Sequence, residues 1–313
     1  MTLNIYRFKR KISNIFIKIL RTVFIIGLCY LFLFPIFYIF ATAFQPPSAA
    51  NDPTVVFVPK ELSIVSIKAV WKILDYLESL LLTVEISVFS TLGSLISCSL
   101  VGYGLARFDF KEKKLVIVLL LLTIIVPAPA IVSSNYLNFC FFDFGGLLRI
   151  FDKSINLINT PFTFILPSFF ASGLRSGLFT FIFYQFFKGS PKDLEEAAYI
   201  DGCGFLKTYI RVMAPLAGSA FITVLLFSFI WHWNDVYSST MYFNQDVRPL
   251  MVRLNELNSL LANSEFIPSN LSNYEMRSYV QSGALLASLP PLILFCFTQR
   301  FFTESIERTG IVG

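Results

Sequence analysis

The sequence predicts an all-α membrane protein with six transmembrane helices, both termini cytoplasmic, and one long charged cytoplasmic loop between spans four and five. Three observations predict it. Of 313 residues, 55% are hydrophobic and only 14% charged, with a mean hydropathy of +0.68, against about 25% charged in a soluble domain. The apolar residues fall into runs of about 20, the length a helix needs to cross hydrocarbon. Segments assigned inside hold sixteen Lys and Arg against eight outside, the asymmetry that orients membrane proteins. The net charge of +5 then reflects bases facing the cytoplasm rather than a nucleic-acid surface.

Residues 1–22 form a basic cytoplasmic N-terminus, with Arg7, Lys9, Arg10, Lys11, Lys18 and Arg21. The apolar run 23–44 is long enough to span and lacks a small-residue cleavage site, so it reads as span one and not as a signal peptide. Pro35 should kink it. Residues 45–78, with Pro46, Pro47, Pro53 and Pro59, form an outer loop ending in a short amphipathic helix near 67–76. Span two covers 79–106, and the basic turn 107–114 returns inside. Span three covers 115–134, where Pro127 and Pro129 should spoil the helix at its outer end. An outer segment, 135–160, precedes span four at 161–187, which contains Arg175. Span five covers 216–235, a polar outer loop covers 236–277, and span six covers 278–298 with Pro290-Pro291 at its centre. The six spans and their loops make one domain, 23–298, and the tail 299–313 ends inside. Small residues four apart, Gly173 with Gly177 and Ala214 with Gly218, suit close helix packing.

The chain is organised around the loop 188–215. Ser190 can accept a bond from a free N–H at a helix start, Pro191 suits the first helical position, and Asp193 adds first-turn negative charge. A helix is expected over 191–200, ended by Gly202 and Gly204 in the left-handed conformation. A second is expected over 205–213, with Phe205, Tyr209 and Val212 on one face and Lys207 and Arg211 on another. Ala197 and Ala198 keep one side thin, and Pro215 marks the next span.

These residues carry a resemblance. Glu196-Ala197-Ala198, Gly202 and the run Val212-Met213-Ala214-Pro215 resemble, at matching spacing, the "EAA…G…I-x-L-P" loop of membrane subunits of bacterial ATP-binding-cassette (ABC) importers. Val212 and Ala214 depart from its isoleucine and leucine. Gly102 to Phe108, Ile200-Asp201-Gly202, Trp233-Asn234, and Gln299 to Phe302 with Gly310, Ile311 and Gly313 resemble the second membrane subunit of the maltose-type, carbohydrate-importing branch. The resemblance implies a permease for oligosaccharides or related polyols or sugar phosphates in the plasma membrane. It implies a second homologous permease, two ATPase subunits and an extracytoplasmic solute-binding protein as partners, besides membrane lipid. It assigns Glu195, Glu196, Ala197, Ala198, Asp201, Gly202 and Pro215 to ATPase coupling. The segment 135–160 is longer than the family norm.

The chain has no G-x-x-x-x-G-K-[ST] phosphate loop, no G-x-S-x-G elbow and one histidine, His232, so ATP and Mg belong to a partner and no cofactor or metal belongs here. A soluble ATPase moves a membrane helix only through a rigid contact, and the 191–200 helix supplies one, with Glu196 as its anchor. An ion-gradient-driven secondary transporter is the alternative, expected to show deep carboxylates and discontinuous spans; a membrane enzyme lacks any catalytic constellation. Trp231, Trp233, Asn234 and Asp235 have two readings, contacts on a sugar or anchors at the membrane interface. Glu85 and Arg175 either pair across the bundle or Glu85 sits near the outer surface. The loop 236–277 either meets the solute-binding protein or is solvated, and the tail either meets an ATPase or is disordered.

Overall fold

A computed structural model describes residues 2–49, 60–146, 154–244, 247–268 and 271–310. Pro53 and Pro59 of the outer loop, Arg149, Lys153, and Ile311 and Gly313 of the tail lie outside the described residues. Among the described residues the chain is helical, with one isolated bridge joining Phe142 to Ile155. Contacts divide it into two units, 1–73 with 258–286, and 74–257 with 287–313.

In the first unit, α1 (Thr2–Ala43) continues as one helix across Pro35. From Asn14 to Phe37 it is largely apolar and exposed, with Phe24 and Phe32 65% and 68% exposed, and only its last residues, Ala41 to Ala43, are buried. An apolar surface of this extent is stable against lipid and not against water. The orphan carbonyls at its C-terminal end meet hydroxyls: Ser278 Oγ lies 3.2 Å from Thr42 O and 3.1 Å from Gln45 O, and Ser282 Oγ lies 3.4 Å from Ala43 O. The expected amphipathic helix is α2 (Val65–Ile73), whose Ser66 shares a 2.8 Å bond with Ser278.

The second unit is built on α3 (Tyr76–Arg107), span two. Its buried face is a ladder of small residues, Ser79, Thr83, Ser87, Ser90, Ser94, Ser97 and Gly102, which lets neighbouring backbones approach. A Cβ on Gly102 would collide with Phe183 and the backbone of Thr180 and Tyr184; one on Gly93 would collide with Phe169. Hydroxyls then bond across the gaps: Ser97 Oγ donates to Ser168 O at 2.6 Å, and Thr83 Oγ1 accepts from Leu250 N at 2.8 Å.

Two expected spans are broken, and span five stands as a single helix, Gly218–Trp233. Span three is α4 (Lys113–Ile125) and α5 (Ala128–Cys140), bent by 101° at the prolines; the irregular outer end is in fact a second helix reaching into the segment expected as outer loop. Span four, expected as one run, is α6 (Phe162–Phe169) and α7 (Ser176–Gly189). Pro167 withholds an N–H, and Ala171 (φ 52°) and Arg175 (φ 59°) turn left-handed between them. Neither piece reaches membrane length. Span five follows α8 (Asp193–Ile200), α9 (Phe205–Thr208) and a π turn, Tyr209–Met213. There α10 (Ala214–Leu216) gives way to α11 (Gly218–Trp233), with a 79° bend between 205–216 and α11. Among the described residues, three helices are therefore long and apolar enough to cross alone, or five counting each bent pair as one.

The loop 236–277 is not plain coil: it holds α12 (Tyr237–Tyr242), α13 (Leu250–Asn255) and α14 (Leu257–Ala262). Finally, α15 (Asn273–Gly310) passes through Pro290 and Pro291 and beyond 298, so the tail is helical as far as Gly310. Of the small pairs, Gly177 packs on Thr123, whereas Gly218 faces open space.

Candidate functional site: the 188–215 loop

Acids Asp193, Glu195 and Glu196 crowd the first turn of α8, where the helix dipole favours negative charge. Two expected start signals act elsewhere. The Ser190 hydroxyl donates to Phe186 O at 2.9 Å, finishing α7, and Pro191 lies two residues before α8 begins. The other end is as expected at Gly202, whose φ of +78° lets Cys203 N bond Ala198 O at 2.9 Å and Gly202 N bond Tyr199 O at 3.0 Å. Gly204 is not left-handed: at φ −77° it is extended and starts α9. The π turn that follows buries Tyr209 and Met213 on one side. Phe205 and Val212 are half-buried beside them, while Lys207 and Arg211 are exposed, as their spacing indicated.

The loop thus has an inward and an outward face. Outward lie Glu196, Ala197, Asp201, Gly202 and Pro215, with the apolar Leu194 (43% exposed), Tyr199 (45%) and Ile200 (86%). Sequence reasoning passed over Leu194, Tyr199 and Ile200, although 196, 199 and 200 share a helical face. Inward lie Ala198 and Glu195. Arg107 Nε donates to Glu195 Oε1 at 2.6 Å, and both side chains are under 10% exposed, at 7% and 8%. Arg107 Nη2 donates to Ser190 O at 3.1 Å. Tyr103, one turn earlier on α3, packs on Phe187, Phe205 and Tyr209 with ring centroids 5.1, 4.8 and 5.2 Å away.

The aromatic residues near the end of α11 are mostly occupied. Trp231 is half-buried, stacked on Phe227 at 5.4 Å, with the Arg175 guanidinium 5.7 Å from its ring. Trp233 is buried, stacks on Phe229 and donates from Nε1 to Ala287 O at 3.1 Å. The Asp235 carboxylate starts α12 by accepting from Ser239 N at 2.8 Å and Ser238 Oγ at 3.0 Å. Asn234 alone of the four is exposed. Glu85 is exposed and makes no ion pair with Arg175. Arg175 lines a cavity of about 340 Å³ at which the breaks of spans three and four meet, together with Val126, Ala171, Asn135, Ser238 and Tyr242. Non-helical backbone at membrane depth is stable where it borders such a space.

No protein-family model matches the chain. It is 26% identical over 306 residues to the arabinooligosaccharides transport system permease protein AraQ of Bacillus subtilis, covering 95% of this chain and 96% of that one. It is 30% identical over 258 residues to the melibiose/raffinose/stachyose import permease protein MelC of the same organism, covering 82% and 83%. Its fold is similar to that in the crystal structure of a bacterial ABC transporter involved in the import of the acidic polysaccharide alginate, with a TM-score of 0.73 at 22% identity over 93% of this chain and 98% of that one.

Proposed function

The chain belongs to the permease subunits of sugar ABC importers, multi-pass proteins of the bacterial plasma membrane, and from that premise we propose how it carries out transport. It is not itself an enzyme, and ATP is hydrolysed by a separate subunit; its likeness to permease proteins of sugar ABC transport systems favours the importer over an ion-gradient mechanism. The passenger is an oligosaccharide or a related polyol or sugar phosphate. The chain forms half of a pathway with a second, homologous permease, above two ATPase subunits and below a solute-binding protein. With α6 and α7 together as a sixth crossing beside the five, both termini share one side with the 188–215 loop, and the concentration of lysine and arginine there puts that side inside. ATP binding closes the ATPases, and α8 transmits that closure to the bundle.

The observation that carries this reading is the two-faced loop. Glu196, Ala197, Tyr199 and Ile200 are exposed on a helix whose other face is fixed by Glu195 and Ala198. A short helix with apolar residues outward and acids in its first turn suits a groove in a soluble partner. Glu196 remains the anchor: its carboxylate is exposed and free of the Arg107 pairing that holds its neighbour. In the purified complex, Glu196→Lys is expected to leave insertion intact and to uncouple ATP hydrolysis from uptake, and Gly202→Pro, whose ring cannot adopt φ of +78°, to uncouple it by distorting the turn that ends α8. Wild-type uptake by both variants overturns the assignment.

A further inference from the structure

We propose that Arg107 is a positioning residue that clamps the α8 helix to span two, so that movement of α8 is delivered to α3 as well as to the spans that flank the loop. This rests on the reading that α8 docks an ATPase. Chain connectivity alone ties the loop to spans four and five; span two lies 88 residues upstream of Glu195 and is joined to it only by side chains.

Those side chains tie α3 to successive parts of the loop. Gly102 lets α3 meet α7 backbone to backbone at Thr180 and Tyr184. Arg107 then holds Ser190 O, where α7 ends, and the Glu195 carboxylate, one turn into α8. Tyr103 stacks on Phe205 of α9, with Phe108 against the same ring at 4.5 Å. Ser99 Oγ and Tyr209 Oη share a 2.6 Å bond at the π turn. The aromatic and hydroxyl contacts grip α7, α9 and the π turn; α8 reaches back to α3 through the Glu195 ion pair, with the Tyr199 hydroxyl beside that of Tyr103.

The pair is poorly explained as a device for stability alone. Withdrawing two charges from water costs about as much as their attraction returns, and an apolar pair of like size is often equal or better. What a buried, hydrogen-bonded pair does provide is a fixed geometry, since Arg presents a rigid fork and either partner left alone is strongly disfavoured. A rigid α3–α8 contact transmits displacement in a fixed register, as the packed aromatic contacts do for α7 and α9.

The test uses the assembled transporter, its five native cysteines replaced by serine, with spin labels on cysteines at Lys111, just beyond α3, and Lys192, just before α8. In the wild type the label-to-label distance is expected to be narrow and unchanged between nucleotide-free and ATP–vanadate-trapped states. Arg107→Glu and Glu195→Arg should each broaden it and cut ATP hydrolysis by about tenfold, the usual range for a broken coupling. The double charge swap should narrow it again and recover hydrolysis. Retention of the ATPase on purification of each variant shows that the fold persists. A wild-type distance that changes on trapping, or an Arg107→Glu distribution as narrow as wild type, overturns the clamp. Failure of a cysteine at Ile200 to cross-link to the ATPase overturns the docking reading instead, while the nucleotide-free widths still decide the clamp.

Discussion

Gly102 and Gly218 both sit on helices of the second unit, yet their surroundings differ sharply. A methyl group at Gly102 has no room, because the backbone of α7 lies against it; a methyl at Gly218 enters open space. Gly102→Ala should therefore destabilise by about 1–3 kcal/mol through overpacking. Gly218→Ala should be neutral or stabilising by up to about 1 kcal/mol, since alanine favours a helix. Thermal-shift midpoints of the purified subunit in detergent check the contrast, and equal shifts in the two variants contradict it. At Gly202 the cost comes from the backbone: φ of +78° disfavours any Cβ. Gly202→Ala should cost about 1–2 kcal/mol although nothing crowds the site.

At the scale of the element, the two faces of α8 let folding be tested apart from the proposed docking. Ala198 is 7% exposed and faces the bundle, so Ala198→Leu should lower the melting point of the subunit. Ile200 is 86% exposed, so Ile200→Asp should leave melting unchanged and weaken ATPase retention on co-purification. The reverse pattern would place the docking face on the wrong side. The helix and its glycine stop were legible in the sequence because acids, alanines and Gly202 are local signals. Which glutamate faces inward was not, because Glu195 is set by Arg107, and nothing local links residues so far apart. Likewise the prolines of span three announced a break, whereas in span four the signals present, Pro167 and Ser172-Gly173, read as part of one helix, and the left-handed turns fall on Ala171 and Arg175, which carry no signal of their own. Trp233 illustrates the same limit: an indole at a span end reads as a ligand platform or an interface anchor, and only the Ala287 carbonyl shows that its N–H is already engaged.

For the whole molecule, the decisive quantity is which side of the bilayer holds the loop. Cys203 reports it. It is half-buried on the turn just after Gly202, while Cys98 is buried and Cys29 and Cys296 lie on the long apolar helices α1 and α15. In a variant retaining Cys203 and carrying serine at the other four cysteines, a membrane-impermeant maleimide should label inside-out vesicles and spare right-side-out ones. Adding the ATPase subunits should then protect Cys203, because a partner seated on Tyr199 and Ile200 covers the neighbouring turn. Labelling from the outside would reverse the topology. Inside labelling without protection would leave the topology standing and remove the motor from α8. The two arms separate orientation, which rests on the distribution of lysine and arginine along the whole chain, from docking, which rests on a single exposed helical face.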